Sequence, residues 1–165
     1  MRSYAQSSAD YGIQERLAFL EGCVKVLRSF GIEVEVHVAS AHRTPEKVAV
    51  FADKARENGF EVIIAAAGKA AHLAGVIAGH TTLPVIGIPI KSSLMDGLDS
   101  LLSTVQMPTG IPVATVAVGG GDNAAYLTAQ ILSIKYPELA DKLAAHRVKM
   151  AEGIEADDAA LNASL

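Results

Sequence analysis

Short apolar runs alternate along the chain with stretches whose hydrophobic residues recur at helical spacing. Residues 32–39 (IEVEVHVA) alternate apolar and polar positions, which predicts a strand with one solvated face near a sheet edge. The runs VIIAAAG, LPVIGIP and IPVATVAVGGG are continuously apolar, as is typical of parallel strands covered on both faces. Helical patterns cover residues 17–27, 45–57, 70–79, 98–106 and 123–133, and a last one follows residue 137. This alternation predicts an α/β fold, a three-layer αβα arrangement around a doubly wound parallel sheet with right-handed crossovers.

Several residues mark where these helices begin and end. Thr44 is a candidate cap for a helix whose first position is Pro45. After the triple glycine 119–121, Asp122 or Asn123 is expected to cap the next helix. The triple glycine itself is interpreted equally as a flexible turn or as a ligand-facing loop. The terminal stretch 151–165 (AEGIEADDAALNASL) is expected to be a frayed tail.

Composition narrows the class of protein. The 165 residues suit one domain spanning 1–165, and only 19% of them are charged although 50% are hydrophobic. No segment has the length of an apolar membrane span, so we expect the apolar surface to be buried between subunits. The net charge of −4 argues against a nucleic-acid partner but allows a small anionic ligand.

The single cysteine and the polar N-terminus indicate the cellular compartment in which the protein is expected. Cys23 has no internal disulfide partner and lies in a helical pattern, so we interpret it as a packing residue. The first ten residues lack the apolar core of a signal peptide. Together these features lead us to expect a cytoplasmic protein.

His42 and Arg43 stand side by side where a strand ends and a helix begins, in ASAHRTPEK at 39–47. Ligands of doubly wound sheets bind at such points, where helix N-termini favour anions. Histidine has the ordinary pKa nearest neutrality and can give and recover a proton, and the arginine fork suits phosphate or carboxylate. Ser40 offers a hydroxyl to the same space. The pair predicts an acid–base site that holds an anion, the alternative being a loop histidine beside a surface arginine.

A second junction, AAAGKAAHL at 65–73, places small residues after a buried strand, so that backbone can approach a ligand closely. Its spacing matches neither a P-loop nor a dinucleotide fingerprint. His72 is expected either to contact ligand or to pack inside the following helix, and Lys69 either to neutralise an anion or to point to water. The five histidines show no spacing typical of a metal site, so we expect no metal.

The motifs SAHRTPE, AGKAAHL, LPVIGIP, GLDSLLSTVQMPTGIPVATVAV and DNAAYLTAQIL occur in this order with nearly unbroken spacing. Together, over residues 17–150, they resemble the bacterial 5-(carboxyamino)imidazole ribonucleotide mutase family. The resemblance implies a flavodoxin-like fold, a homo-octamer with active sites at subunit contacts, and no metal or organic cofactor. It also implies movement of a carboxylate from the exocyclic nitrogen of an aminoimidazole ribonucleotide to ring carbon C4.

The resemblance also assigns roles to residues. It makes His42 the general acid and base, Arg43 the phosphate ligand and Ser40 a neighbour in the same pocket. Gly68, His72 and Leu73 match the family's mobile GGAAHL loop over the imidazole. Lys69 departs from that loop's second glycine, and a long charged side chain there is expected either to alter loop closure or to bind the substrate carboxylate.

The N-terminal segment 1–16 departs more strongly. Family members open with an apolar strand ending in MGSxSD, which holds phosphate and ribose, whereas counting back from SAHRTP without gaps places YGIQER there. The sequence QSSAD at residues 6–10 partly matches MGSxSD. This match makes Ser7 and Asp10 the candidate substrate contacts and leaves only MRSYA before them as a strand. We therefore expect the first strand to be atypical or missing, which would leave the strand at 32–39 without its inner neighbour.

Three functions remain open at this point. The first is the mutase. The second is a non-catalytic relative that keeps the fold and oligomer and binds a nucleotide weakly, as the altered N-terminus and Lys69 suggest. The third is a carboxylase of the animal type that uses free carbon dioxide, which AHRT and AAHL disfavour because that class resembles AHK and GRSN at these places.

Overall fold

A computed structural model describes residues 1–7, 13–93 and 95–165, and for residues 4–7 and 13–19 it describes the backbone alone. Within these residues the chain forms five strands and six helices. The strands are β1 (Arg2–Ser7), β2 (Glu33–Val38), β3 (Val62–Gly68), β4 (Val85–Ile90) and β5 (Ala114–Thr115). The helices are α1 (Ile13–Ser29), α2 (Pro45–Lys54), α3 (Leu73–His80), α4 (Leu98–Val105), α5 (Gly121–Ser133) and α6 (Glu138–Ser164).

The five strands form one parallel sheet in the order β2-β1-β3-β4-β5, the doubly wound order that the sequence predicts. The predicted edge position of β2 is confirmed. The first strand, expected to be atypical or missing, is present inside the sheet and is atypical in sequence. It pairs with β2 from Arg2 to Ser7 and with β3 from Ser3 to Ser7. Backbone pairing on both sides holds β1 in place although RSYAQS lacks an apolar pattern.

Two apolar layers cover the sheet, one on each face. Alternate residues of β3 point to opposite sides: Val62, Ile64 and Ala66 pack with α1 and α5, and Ile63, Ala65 and Ala67 pack with α2 and α3. All seven residues of β3 are buried, which explains its continuously apolar sequence. Cys23 is fully buried in the first layer, as predicted, and burial, with the nearby Asp122 carboxylate, raises the pKa of its thiol to about 12.

Gly87 of β4 lies where α3 and α4 approach the sheet most closely. A Cβ atom at this position would collide with Thr104 of α4 and Val113, and would contact Ala74 of α3. Only glycine therefore lets both helices lie flat against this strand.

Several boundaries differ from the expectations. α2 ends at Lys54, and the chain turns through residues 55–58 to Gly59, whose φ is +81°. β5 is only two residues long, although Val116 and Gly119 continue to donate backbone hydrogen bonds to β4. The expected frayed tail is instead exposed helix: α6 runs to Ser164, because its alanine, glutamate and leucine residues favour helix.

Neither Asp122 nor Asn123 caps α5 as expected. Gly120 is the N-cap residue, and no side chain forms a capping hydrogen bond there. Gly119, Gly120 and Gly121 form a hydrogen-bonded turn, with Gly119 bound to Pro89 O at 2.9 Å. The triple glycine therefore serves to turn the chain between β5 and α5.

Glu61, just before β3, ties the start of that strand to the end of α5. Lys135 Nζ lies 2.7 Å from Glu61 Oε1, and the Tyr136 hydroxyl donates to the same carboxylate at 3.0 Å. Burial by itself would raise the pKa of Glu61, but the hydrogen bonds and charge of these partners outweigh it and hold that pKa below its usual value. This contact therefore stabilises the fold above the unfolded carboxyl pKa and is lost as the pH falls through the folded value.

Among the described residues, no helix combines the length and apolarity needed to cross a bilayer.

Ser3 provides a test of the packing around β1. Ser3 lies in β1, between β2 and β3; its side chain is fully buried, and its hydroxyl has no hydrogen-bond partner among the described residues. We predict that Ser3→Ala raises the free energy of unfolding by about 1 kcal/mol, because it removes a desolvated hydroxyl that no bond offsets. Urea denaturation at pH 7 measures this change.

The control for this variant is Ser29→Ala at the exposed end of α1, which we expect to change stability by less than about 0.5 kcal/mol. A loss of stability in Ser3→Ala would contradict the prediction and would indicate that a buried water bonds the hydroxyl.

Candidate active site

The predicted site residues lie in two loops at the carboxyl edge of the sheet. One loop follows β2 and leads into α2 at Pro45, and the other follows β3 and leads into α3 at Leu73. Only β1 separates these two strands, so their ends are about 10 Å apart. The N-termini of α2 and α3 both open at this edge, where their backbone N–H groups favour an anion.

The first loop is closed by hydrogen bonds between Ser40 and Thr44. The Thr44 hydroxyl accepts from Ser40 N at 2.9 Å and donates to Ser40 O at 3.1 Å, and Thr44 N also donates to that carbonyl. Arg43 N donates to Ser40 Oγ at 3.2 Å. The predicted capping of α2 by the Thr44 side chain is wrong, because this hydroxyl closes the loop instead. The bonds hold His42 and Arg43 at the tip of a tight turn.

The second loop bends sharply directly after the buried strand β3. Lys69 has a φ of +56°, in the left-handed region, and His72 N donates to Ala70 O at 2.9 Å. The Ser103 hydroxyl of α4 lies 3.1 Å from Lys69 O and also contacts Asp99 O, so its hydrogen is shared between two carbonyls. The helix predicted from residue 70 therefore begins only at Leu73.

His42 and His72 join the two loops. The Nε2 atom of His42 lies 3.0 Å from Nδ1 of His72, and the rings meet edge to face with centroids 5.1 Å apart. One ring must donate and the other accept, so the tautomer of each depends on the other. Of the two readings for His72, packing inside the following helix is excluded, because its side chain is exposed at this contact.

A cavity of about 220 Å³ lies between the loops. Two of its lining side chains, Arg43 and Lys69, are cationic, and none of the described lining residues is acidic. Ala41, Ala67 and Ala70 complete the wall with small side chains, which leaves room for a ligand near the backbone. The cavity therefore combines a pair of imidazole rings in contact with positive charge.

A larger cavity, of about 740 Å³, lies at the opposite ends of α2 and α3. Its histidine, His80, is hydrogen-bonded to the Asp53 carboxylate at 3.1 Å, and Glu57 adds a second negative charge. Arg56 also lines this cavity and donates to the Thr82 hydroxyl at 2.9 Å, but the two carboxylates outnumber this one guanidinium, so the larger cavity suits an anion less well than the smaller one. Gly110, Ile111 and Pro112 line this cavity, so the turn-rich segment before β5 lies here and not beside His42.

The structure brings together most of the residues that the sequence singled out. The lining of the smaller cavity includes Ser40, His42, Arg43, Gly68, Lys69, His72 and Leu73. Ser7 is the last residue of β1, at the same edge of the sheet, and Asp10 lies outside the described residues. The supporting roles of Thr44 and Ser103 were missed. Ser103 acts across 34 positions of the chain, for which local sequence carries no signal.

Across residues 1–7, 13–93 and 95–165, no three His, Cys, Asp or Glu side chains form a group that could hold a metal ion.

The fold and the cavity define a class: a doubly wound α/β protein with a cationic, histidine-bearing site at the carboxyl edge of its sheet. Within this class, the model of the AIR carboxylase family matches residues 11–153. The chain belongs to the AIR carboxylase family.

Individual relatives agree with this assignment. The chain is 53% identical to the N5-carboxyaminoimidazole ribonucleotide mutase of Pyrococcus horikoshii, over 87% of this chain and 81% of the relative. It is 58% identical to the Saccharolobus solfataricus protein of the same name, over 76% and 79% of the two chains. Among solved structures, Treponema denticola PurE superposes with a TM-score of 0.83 at 28% identity, covering 96% of this chain and 98% of that one.

The Thr44 hydroxyl provides a test of how the first loop is held. We predict that Thr44→Val lowers the free energy of unfolding by about 1 kcal/mol, because the isosteric change removes both hydrogen bonds to the Ser40 backbone. Thermal unfolding followed by circular dichroism measures this loss. Thr44→Ser keeps the hydroxyl and is the matched control. Equal stability of Thr44→Val and Thr44→Ser would show that these bonds contribute nothing.

Proposed function

We propose that this protein converts 5-(carboxyamino)imidazole ribonucleotide into 4-carboxy-5-aminoimidazole ribonucleotide, an intramolecular mutase reaction of purine biosynthesis. The observation that carries the proposal is the meeting of His42, Arg43 and the 68–73 loop in one cationic cavity. It occurs in a chain at least half identical to relatives named as this mutase.

His42 supplies the proton transfers of this reaction. In the first half, the bond between the exocyclic nitrogen and the carboxyl carbon breaks, and His42 protonates that nitrogen as carbon dioxide is released. In the second half, ring carbon C4 attacks the carbon dioxide, and His42 removes the C4 proton. The proton that His42 gives is thus replaced by the one it takes, which suits a side chain whose ordinary pKa lies near neutrality.

His72 positions the catalytic ring. Its Nδ1 atom lies 3.0 Å from the Nε2 atom of His42, so it fixes the orientation of that ring and changes hydrogen-bond role when His42 gains or loses a proton. Holding the carbon dioxide between the two half-reactions requires a closed pocket that excludes water. The 68–73 loop, with Gly68 and Leu73 in the cavity wall, supplies part of this enclosure.

The phosphate of the substrate is assigned to Arg43, with Ser40 and the N-terminus of α2 beside it. The guanidinium presents two parallel donors to phosphate oxygens, and the helix N-terminus adds favourable dipole charge. Ser7, at the end of β1, and Asp10 are assigned to the phosphate and ribose through the QSSAD match.

We assign the protein no metal or organic cofactor, since acid–base transfer and retention of carbon dioxide suffice for this reaction. We also propose that the protein is a homo-octamer and that it is cytoplasmic. The assembly is supported by an apolar row on α4, where Leu98, Leu102 and Val105 are each nearly half exposed at helical spacing. Such a row on a charge-poor surface suits a contact between subunits.

Replacement of His42 tests the catalytic role. We predict that His42→Asn lowers kcat by about 10²–10⁴-fold while the ribonucleotide still binds, because the amide cannot transfer a proton. The assay follows the carboxyl carbon from nitrogen to C4 by ¹³C NMR, without added bicarbonate. His80→Asn, at the far end of α3, is the matched control and is expected to retain full activity.

The same assay separates the three candidate functions. Substantial mutase activity in His42→Asn would refute the assigned role. Binding without turnover by the unaltered chain would identify a non-catalytic relative, and a requirement for added bicarbonate would identify a carboxylase.

Replacement of Arg43 tests the phosphate contact. We predict that Arg43→Ala raises KM by about tenfold or more and lowers kcat less, because the lost charge-assisted contact acts on a group distant from the reacting atoms. Steady-state kinetics with the carboxyamino substrate measure both constants, and Arg43→Lys is expected to recover part of the affinity. An unchanged KM in Arg43→Ala would contradict this assignment.

A further inference from the structure

Lys69 occupies a backbone conformation that suits glycine. Its φ is +56°, and the only other non-glycine residue with a positive φ among the described residues is Asp96. A side chain in this region is crowded against its own backbone, so the lysine is less stable here than glycine would be. Such a residue is a candidate for a function that its side chain performs.

The surrounding structure fixes where the Lys69 side chain begins. Its carbonyl lies 3.1 Å from the Ser103 hydroxyl of α4, and Gly68 before it is the buried end of β3. From this anchored backbone the exposed side chain lines the cavity that contains His42 and Arg43.

The Lys69 ammonium has no hydrogen-bond or ion-pair partner within the part of the chain that the structure describes. By contrast, Lys91 binds Asp96 at 2.6 Å and Lys135 binds Glu61 at 2.7 Å. No acidic residue is among the described residues that line the cavity. An anionic ligand therefore meets an ammonium that no described carboxylate neutralises.

The two cations of the cavity come from different loops and suit different anions. Arg43 belongs to the loop after β2 and Lys69 to the loop after β3. The proposed substrate likewise carries two anionic groups, a phosphate and a carboxylate that changes position during the reaction. The rigid guanidinium fork suits the stationary phosphate, whereas a point charge on a flexible stem can follow a carboxylate as it moves.

We propose that Lys69 binds the migrating carboxylate and makes the site select carboxylated over decarboxylated aminoimidazole ribonucleotide. This inference rests on the proposed function. Lys69 remains protonated throughout and forms no covalent bond. It binds the carboxylate of substrate and product, but between them the group passes through neutral carbon dioxide, to which an ammonium binds weakly. Lys69 therefore contributes to ground-state binding and not to the chemical step.

Binding of two matched ligands tests this role. The ligands are 4-carboxy-5-aminoimidazole ribonucleotide and 5-aminoimidazole ribonucleotide, which differ only in the carboxylate, and isothermal titration gives Kd for each. We predict that Lys69→Met weakens binding of the carboxylated ligand by about tenfold or more and leaves the other unchanged. In the kinetic assay, KM rises and kcat does not fall.

Three further variants separate selection from general effects. Lys69→Arg keeps the charge and is expected to retain most of the selectivity. Lys69→Gly is expected to lose selectivity as Lys69→Met does while raising the unfolding temperature, because glycine relieves the positive φ. Arg43→Ala weakens both ligands by the same factor, since both carry the phosphate.

The outcomes keep the two proposals distinct. An unchanged ratio of the two Kd values in Lys69→Met, in a chain that is active as a mutase, overturns the role of Lys69 and leaves the proposed function standing. A fall in kcat with unchanged binding overturns it too, since Lys69 would then act in the chemical step. If the unaltered chain binds neither ribonucleotide, the proposed function itself fails.

Discussion

The parallel pairing of β1 between β2 and β3 is the constraint on which the site depends. It aligns the carboxyl ends of β2 and β3 at one edge and sets them one strand apart. At that spacing the loops after the two strands can meet, and His42 reaches His72 across the end of β1. A sheet that closed without β1 would bring the loops too near for a cavity, and a wider separation would break the contact between the rings.

Within this frame the two loops divide the work of binding and catalysis. Each supplies one imidazole and one cation: His42 with Arg43 from the first loop, and His72 with Lys69 from the second. The interior of each loop is held by hydroxyl groups, Thr44 in one case and Ser103 in the other. The functional side chains are therefore exposed, but the backbone that carries them is fixed at both loops, as a site that orients a small ligand requires.

The buried strands, and the meeting of the candidate site residues at one edge of the sheet, could be predicted because their signals are local. β3 is continuously apolar, and the SAHRTP motif places His42 beside a helix start. MRSYA was a candidate strand, but its pairing inside the sheet could not be predicted from RSYAQS, because its partners lie tens of residues away in β2 and β3. A long-range contact also explains why Ser103 was missed, because its hydroxyl meets the Lys69 carbonyl 34 positions away. The Thr44 bonds to Ser40 and the left-handed Lys69 are local, but they depend on the exact path of each loop, which residue type alone does not specify.

Cys23 has a consequence for how the protein responds to its surroundings. Its thiol lies fully buried between α1 and the sheet, with a pKa of about 12, so almost no thiolate exists near neutral pH. The thiolate is the form that attacks peroxides and alkylating reagents, so Cys23 is inert to both while the chain is folded. Chemical modification of Cys23 thus requires α1 to separate from the rest of the core. The rate of that modification measures how often the folded protein opens there.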